Sequence, residues 1–303
     1  MRQFLVFTRR NLRIYFRDKG AVFFSFLSML IIIGLMVFFI ADAHVDSITQ
    51  LLGAFEGRDP DMDKKNAELL ILSWTCAGII SINAATVTLA VYTVMIKDRV
   101  QGKLSSIYTA PVSRTVITLG YVAAAWVASL IMCTLTLFIT ELYGVTKGLD
   151  ALSLPVHLKL FGMIMVNSFV YAAIMYVMAA LAKTEGAWSG LGTIVGTLIG
   201  FLGGIYIPLG TLSQTIARIT KCTPAIYGTA MFRSVMSKDI LEKTFDGVPD
   251  DVVESYRKMM GIDLELFDKA VSEGMQWTVL IAFGAVFMVL GVLLLKYGKK
   301  TDR

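Results

Sequence analysis

Apolar residues run almost without interruption through six stretches of the chain, roughly 22–41, 69–96, 116–142, 158–181, 191–209 and 277–295, and charged or turn-forming residues gather between them. A helix needs about 20 such residues to cross roughly 30 Å of hydrocarbon. Barrel strands alternate apolar with polar positions over about ten residues, whereas these runs are continuous, so the pattern predicts helices. A charge at mid-span would cost about 2.5–3.5 kcal/mol and cancel several leucines. None of the six stretches carries one: Glu141, Lys159, Lys183 and Lys296 fall near their ends, where long side chains reach the interface. The predicted fold is all-α, a membrane protein of six transmembrane helices.

Composition agrees. The 303 residues are 56% hydrophobic and 17% charged with a mean hydropathy of +0.68, too apolar for a water-soluble domain. Charge then sets an orientation. Residues 1–20 hold six Lys or Arg, the stretch 97–114 holds four and the tail KYGKKTDR four, while 42–68 holds seven acidic residues against three basic ones. Basic loops stay in the cytoplasm, so both termini and 97–115 are expected inside and 210–276 outside. At 100° per residue the first 20 residues place Phe4, Leu5, Leu12, Tyr15 and Phe16 on one side and Arg9, Arg10, Arg13 and Arg17 on the other, predicting a helix that lies in the membrane surface. It either anchors topology on anionic lipid or transmits motion to the spans in 21–303. The first apolar run is too long for a signal core, so it reads as a retained span although Ala41-Asp42-Ala43 resembles a cleavage site.

Catalytic motifs are missing: the chain has no GxxxxGK[ST], HExxH, CxxC or GxSxG. His44 and His157 stand alone beside spans, and Cys76, Cys133 and Cys222 are too scattered for a disulfide framework. No catalytic, cofactor or metal residues are expected. Gly192, Gly196, Gly200 and Gly204 recur every fourth residue and form a small-residue ridge, suited to close packing against a span of the same chain or of a second copy. In the second span Thr75, Asn83, Thr86 and Thr93 share one arc of the wheel, with Ser81, Thr88 and Tyr92 roughly opposite. Such an arc lines a polar pathway or fastens helices together.

The order of parts resembles the membrane subunit of an ABC exporter of the ABC-2 family. The loop after the second span carries Arg99 and Gly102, then Thr109 and Pro111, in the form Arg-x-x-Gly followed by Thr-x-Pro. LAKTEGAWSGLGTIVGTLIGFLGGIYIP is similar to the family's charged turn, fifth span and Gly-x-x-x-Pro exit, here Gly204 and Pro208, and Pro224 followed by Arg233 is similar to its external return. Two departures stand out. A Leu-Pro pair common after the exit proline is replaced by GTLSQTIARI, and a long doubly charged insertion follows Arg233 and is expected to form small external helices.

The resemblance implies a permease that binds a separate cytoplasmic ATPase, which holds ATP and Mg, and that pairs with a second permease copy, identical or closely related, in a prokaryotic cell (inner) membrane. The 97–115 loop would then be a coupling segment seated in the ATPase, with Arg99, Gly102, Ser105, Ser106, Thr109 and Pro111 as its contact and shaping residues; the alternative is a basic loop that only holds topology. No enzymatic activity on this chain and no nucleic-acid partner are implied. The substrate would be hydrophobic or amphipathic, a drug, peptide or lipid. An ion-coupled carrier would instead place ionisable groups near mid-membrane, and a scaffold or sensor would move nothing.

Overall fold

The computed structural model describes residues 2–35, 41–104, 112–266 and 269–297. Ser105, Ser106, Thr109 and Pro111, the end of the first expected span and the basic tail beyond Tyr297 lie outside them.

The chain opens with α1 (Arg2–Arg17), α2 (Lys19–Leu35) and α3 (Ala41–Leu52). The long α4 (Pro60–Val100) follows, then α5 (Arg114–Lys147), α6 (Leu154–Leu181) and α7 (Glu185–Leu202). A 3-10 turn (Leu209–Thr211) leads to the short α8 (Gln214–Lys221), α9 (Pro224–Met236), α10 (Lys238–Thr244) and α11 (Asp250–Met259). A two-residue antiparallel pair, β1 (Glu265–Leu266) with β2 (Lys269–Ala270), precedes α12 (Glu273–Tyr297).

Among the described residues, four helices are long and apolar enough to cross a membrane: α4, α5, α6 and residues Glu273–Leu294 of α12. The first expected span falls on α2, described for 17 residues. The fifth falls on α7, which has 18 residues and stops at Leu202 rather than near 209. Gly203 and Gly204 end it, and Gly204 turns the chain with φ +64°, a conformation that costs any residue with a Cβ. Gly204 is therefore a turn residue and not part of the helical ridge expected from its spacing.

The 41 residues of α4 reach about 60 Å, twice the hydrocarbon thickness. Its apolar part is the axis of the bundle, packed against α2, α5, α6, α7 and α9. Its polar beginning exists because Asp59 accepts a hydrogen bond from the Asp61 N–H and Pro60 occupies the first turn, a capping arrangement that starts a helix among charged residues. There α4 rises into a second, smaller core, where Leu70 and Trp74 meet Ile48 and Leu52 of α3, Leu241 and Phe245 of α10 and its exit, and Tyr256 of α11. The insertion after Arg233 is thus helical and folded onto α4.

Arg233 of α9 joins the two cores. It is fully buried, its guanidinium carbon lies 3.7 Å from the centre of the Trp74 ring, and it donates to the carbonyls of Gly204 (2.8 Å) and Met260 (3.3 Å). The end of the molecule holding α3, α10 and α11 is called the acidic end below, and the end holding α1 and the α4–α5 connection the basic end.

Candidate functional site

At the basic end α4 stops at Val100, and Gly102 turns the chain with φ +69°. Lys103 and Leu104 resume helical backbone, with Leu104 buried. Past the undescribed 105–111, Ser113 caps α5 by accepting from the Val116 N–H.

The residues just before this turn are tied inward. Asp98 is 4% exposed and accepts from Arg10 Nη1 (2.6 Å) and Nη2 (2.8 Å) and from the Tyr121 hydroxyl (2.7 Å). The two-pronged geometry is the strong form of this ion pair, and the hydrogen bond to Asp98 pushes the Arg10 guanidinium further above its ordinary range. Phe7, one turn earlier on α1, stacks edge-on against Tyr121 with ring centres 5.0 Å apart, beside Gly120. The face of α1 that meets the bundle is consequently Phe7, Thr8, Asn11 and Tyr15, with Arg10 at its edge. One residue departs from the expected division: Arg10 parts company with Arg9, Arg13 and Arg17, which stay exposed.

Arg99 points the other way. Its Nη1 donates to the backbone carbonyls of Ala179, Ala180 and Ala182, at and just past the end of α6. Those carbonyls lack partners within the helix, and a cation there also meets the negative end of the helix dipole. Asp98 and Arg99 together thus bind the foot of α4 to α1, α5 and α6.

Beside this clamp a cavity of about 380 Å³ opens between α1, α2, α4 and α7. Its walls are mostly apolar, with Phe24, Leu89, Val94 and Val195, and Lys97 and Asp18 stand at its edge 3.9 Å apart. Thr86 and Thr93 of α4 face Gly192 and Gly196 of α7 across it. Thr93 accepts a hydrogen bond from Trp188 Nε1 (3.1 Å), and Thr86 donates to the Asn83 carbonyl (3.1 Å).

The expected polar arc therefore divides. Asn83 is buried in the bundle and donates to Thr136 of α5 (2.7 Å), a helix-fastening contact, and Thr75 is buried at the level of Trp74; neither lines this cavity. The opposite arc also fastens helices, since Tyr92 donates to the Ala172 carbonyl of α6 (2.7 Å). The glycines divide too. Gly192 faces Leu89, Gly200 is covered by Tyr206, and beside Gly196 a Cβ would meet nothing within 4 Å. Sequence spacing had no means of marking Asp98, Arg10 and Tyr121 as a unit, because the partners lie 88 and 23 residues apart.

Among the described residues no group of His, Cys, Asp or Glu is gathered to hold a metal ion. His157 instead pairs with Glu141 (2.8 Å), and His44 lies near Trp74. Long apolar helices around a mostly apolar cavity define a multi-pass membrane protein. Residues 55–293 match the ABC-2 family transporter protein family, and the chain belongs to that family. The match begins after α3 and so leaves out α1, α2 and α3. A search among curated proteins found no match.

Proposed function

We propose that the chain is the permease subunit of an ATP-driven exporter, moving a hydrophobic or amphipathic substrate outward with energy from a separate ATPase that holds ATP and Mg. The basic end faces the cytosol with both termini, α1 lies at the membrane surface, and α2 and α7 complete six spans. Eighteen residues of α7 reach about 27 Å, enough to cross with slight local thinning of the bilayer.

The observation that carries this reading is the clamp at the foot of α4. Force that reaches the foot of α4 passes through Asp98 and Arg99 to three other helices at once, so this end of α4 serves as a lever. Shifting a two-state bundle from about 1:99 to 99:1 takes roughly 5.5 kcal/mol of differential binding, which ATP-driven closure of the companion supplies through such a lever. The cavity between Thr86, Thr93 and Gly196 is the substrate's place: apolar walls for its body and hydroxyls for a polar group. A second copy pairs along α7, where Ile194, Leu198 and Phe201 are exposed.

Two experiments in reconstituted complexes follow. Gly102→Pro is incompatible with φ +69° because proline holds φ near −65°. The position is exposed, so the variant is expected to insert normally while transport-linked ATPase activity falls about tenfold, equivalent to roughly 1.4 kcal/mol of lost coupling. Arg99→Glu, which turns a carboxylate onto the α6 carbonyls, is expected to lower the same activity at least as far. Wild-type ATPase coupling in both variants would overturn the lever. Gly196→Trp is expected to fill the cavity and abolish transport while the unfolding midpoint moves by only a few degrees, because a side chain there enters open space; undiminished transport would remove the cavity from the pathway.

A further inference from the structure

A second cavity lies at the acidic end, away from the pathway, between α4, the end of α5, the α5–α6 connection, α9 and α10. Its volume is about 170 Å³, close to the roughly 150 Å³ of an apolar cavity that holds benzene. Leu69, Leu149, Leu152 and Met236 supply most of its apolar lining, with the hydroxyls of Ser73 and Thr140 among them and the buried Cys76 at its floor.

The rim is charged in a particular way. Lys65 of α4 is exposed and has no ion-pair partner among the described residues, and Asn66 stands beside it with an uncommitted side-chain amide. Across the opening, Asp239 and Lys243 sit one turn apart on α10, and Lys243 is paired with Asp150. Of the charges that line the cavity, Lys243 is paired with Asp150 and Glu141 with His157, which leaves Lys65 and Asp239, one of each sign and set apart: Lys65 with Asn66 offers donors on one side, and Asp239 offers an acceptor on the other. A ligand of a single charge gains little from such a rim, because each attraction is opposed by a like charge. A molecule carrying an anion and a cation close together, with a short apolar tail, matches both parts.

We propose that this cavity binds an apolar α-amino acid of about leucine size, with the carboxylate toward Lys65 and Asn66, the ammonium toward Asp239, and the aliphatic side chain on the floor beside Cys76. The site stands in each copy of the chain, independent of the pathway cavity and of the companion ATPase.

Titration calorimetry of the purified full chain supplies a direct readout. L-leucine is expected to bind with measurable heat at concentrations up to 10 mM, whereas 3-methylbutan-1-amine, which lacks the carboxylate, and 4-methylpentanoate, which lacks the ammonium, are expected to bind at least tenfold more weakly. Lys65→Gln and Asp239→Asn, both at exposed rim positions, are expected to weaken leucine binding at least tenfold while leaving the unfolding midpoint of the free protein unchanged. A rise of the wild-type unfolding midpoint with leucine, and with neither analogue, is the second measurement expected. Absence of both binding heat and midpoint rise at 10 mM leucine, or equal binding of leucine and the two truncated analogues, would overturn the proposal.

Discussion

Arg233→Ala is expected to lower the unfolding midpoint by about 8–16 °C, because truncation of so large a buried side chain costs roughly 4 kcal/mol and each kcal/mol shifts a chain of this size by about 2–4 °C. The cost has identified sources. The Gly204 carbonyl loses its guanidinium donor, the Trp74 ring loses the cation on its face, and a hole opens where the bundle meets the acidic-end core. Met260 suffers less, since its carbonyl also accepts from Trp74 Nε1 (2.9 Å). Burying the charge has its own penalty, which offsets part of the gain. Arg233→Lys discriminates between charge and shape: a single ammonium cannot stack on Trp74 while reaching both carbonyls, so it is expected to recover less than half of the midpoint. A lysine variant as stable as wild type would refute this account of the junction.

The second large effect is expected from Asp98→Asn. It leaves Arg10 beside a neutral amide and weakens the hydrogen bond from Tyr121, at a cost of roughly 2 kcal/mol, below the figure for fully buried pairs because the Arg10 side chain is 31% exposed. Function should suffer more than stability. With α1 loosened from the foot of α4, transport is expected to fall tenfold or more while membrane insertion persists. In a double-mutant cycle, Arg10→Gln combined with Asp98→Asn should lose little beyond either single variant, a coupling of about 1–3 kcal/mol. Additive losses would show that the two side chains work separately.

Hydropathy located the apolar parts of α4, α5, α6 and α12 to within a few residues because the cost of a buried charge leaves a plain mark in the sequence. It could not see how far helices continue into water. α4 begins nine residues before the apolar run because Asp59 and Pro60 start it, and α5 extends to Lys147, where Gly148 closes it with φ +114°. At α7 the error ran the other way: the apolar residues IYIPL read as more span, whereas Gly203 and Gly204 had already turned the chain. The arginine helix shows a different limit. A wheel sorts residues by polarity and sends every arginine outward, but Arg10 turns inward because a carboxylate 88 residues away waits for it. Asn11 and Thr8 follow it into the buried face. The cavity facing Thr86 and Thr93 was half legible, since their spacing put them on one arc, but only the packing separates them from Asn83, whose amide is taken by Thr136.

Cytoplasmic coupling requires that the α4–α5 connection reach the cytosolic side of the membrane. A Lys103→Cys variant in a Cys222→Ser background, treated with a membrane-impermeant thiol reagent, is predicted to label in inside-out vesicles, to resist labelling in right-side-out vesicles, and to become protected when the companion ATPase is bound. Labelling in right-side-out vesicles, with none in inside-out ones, would contradict it.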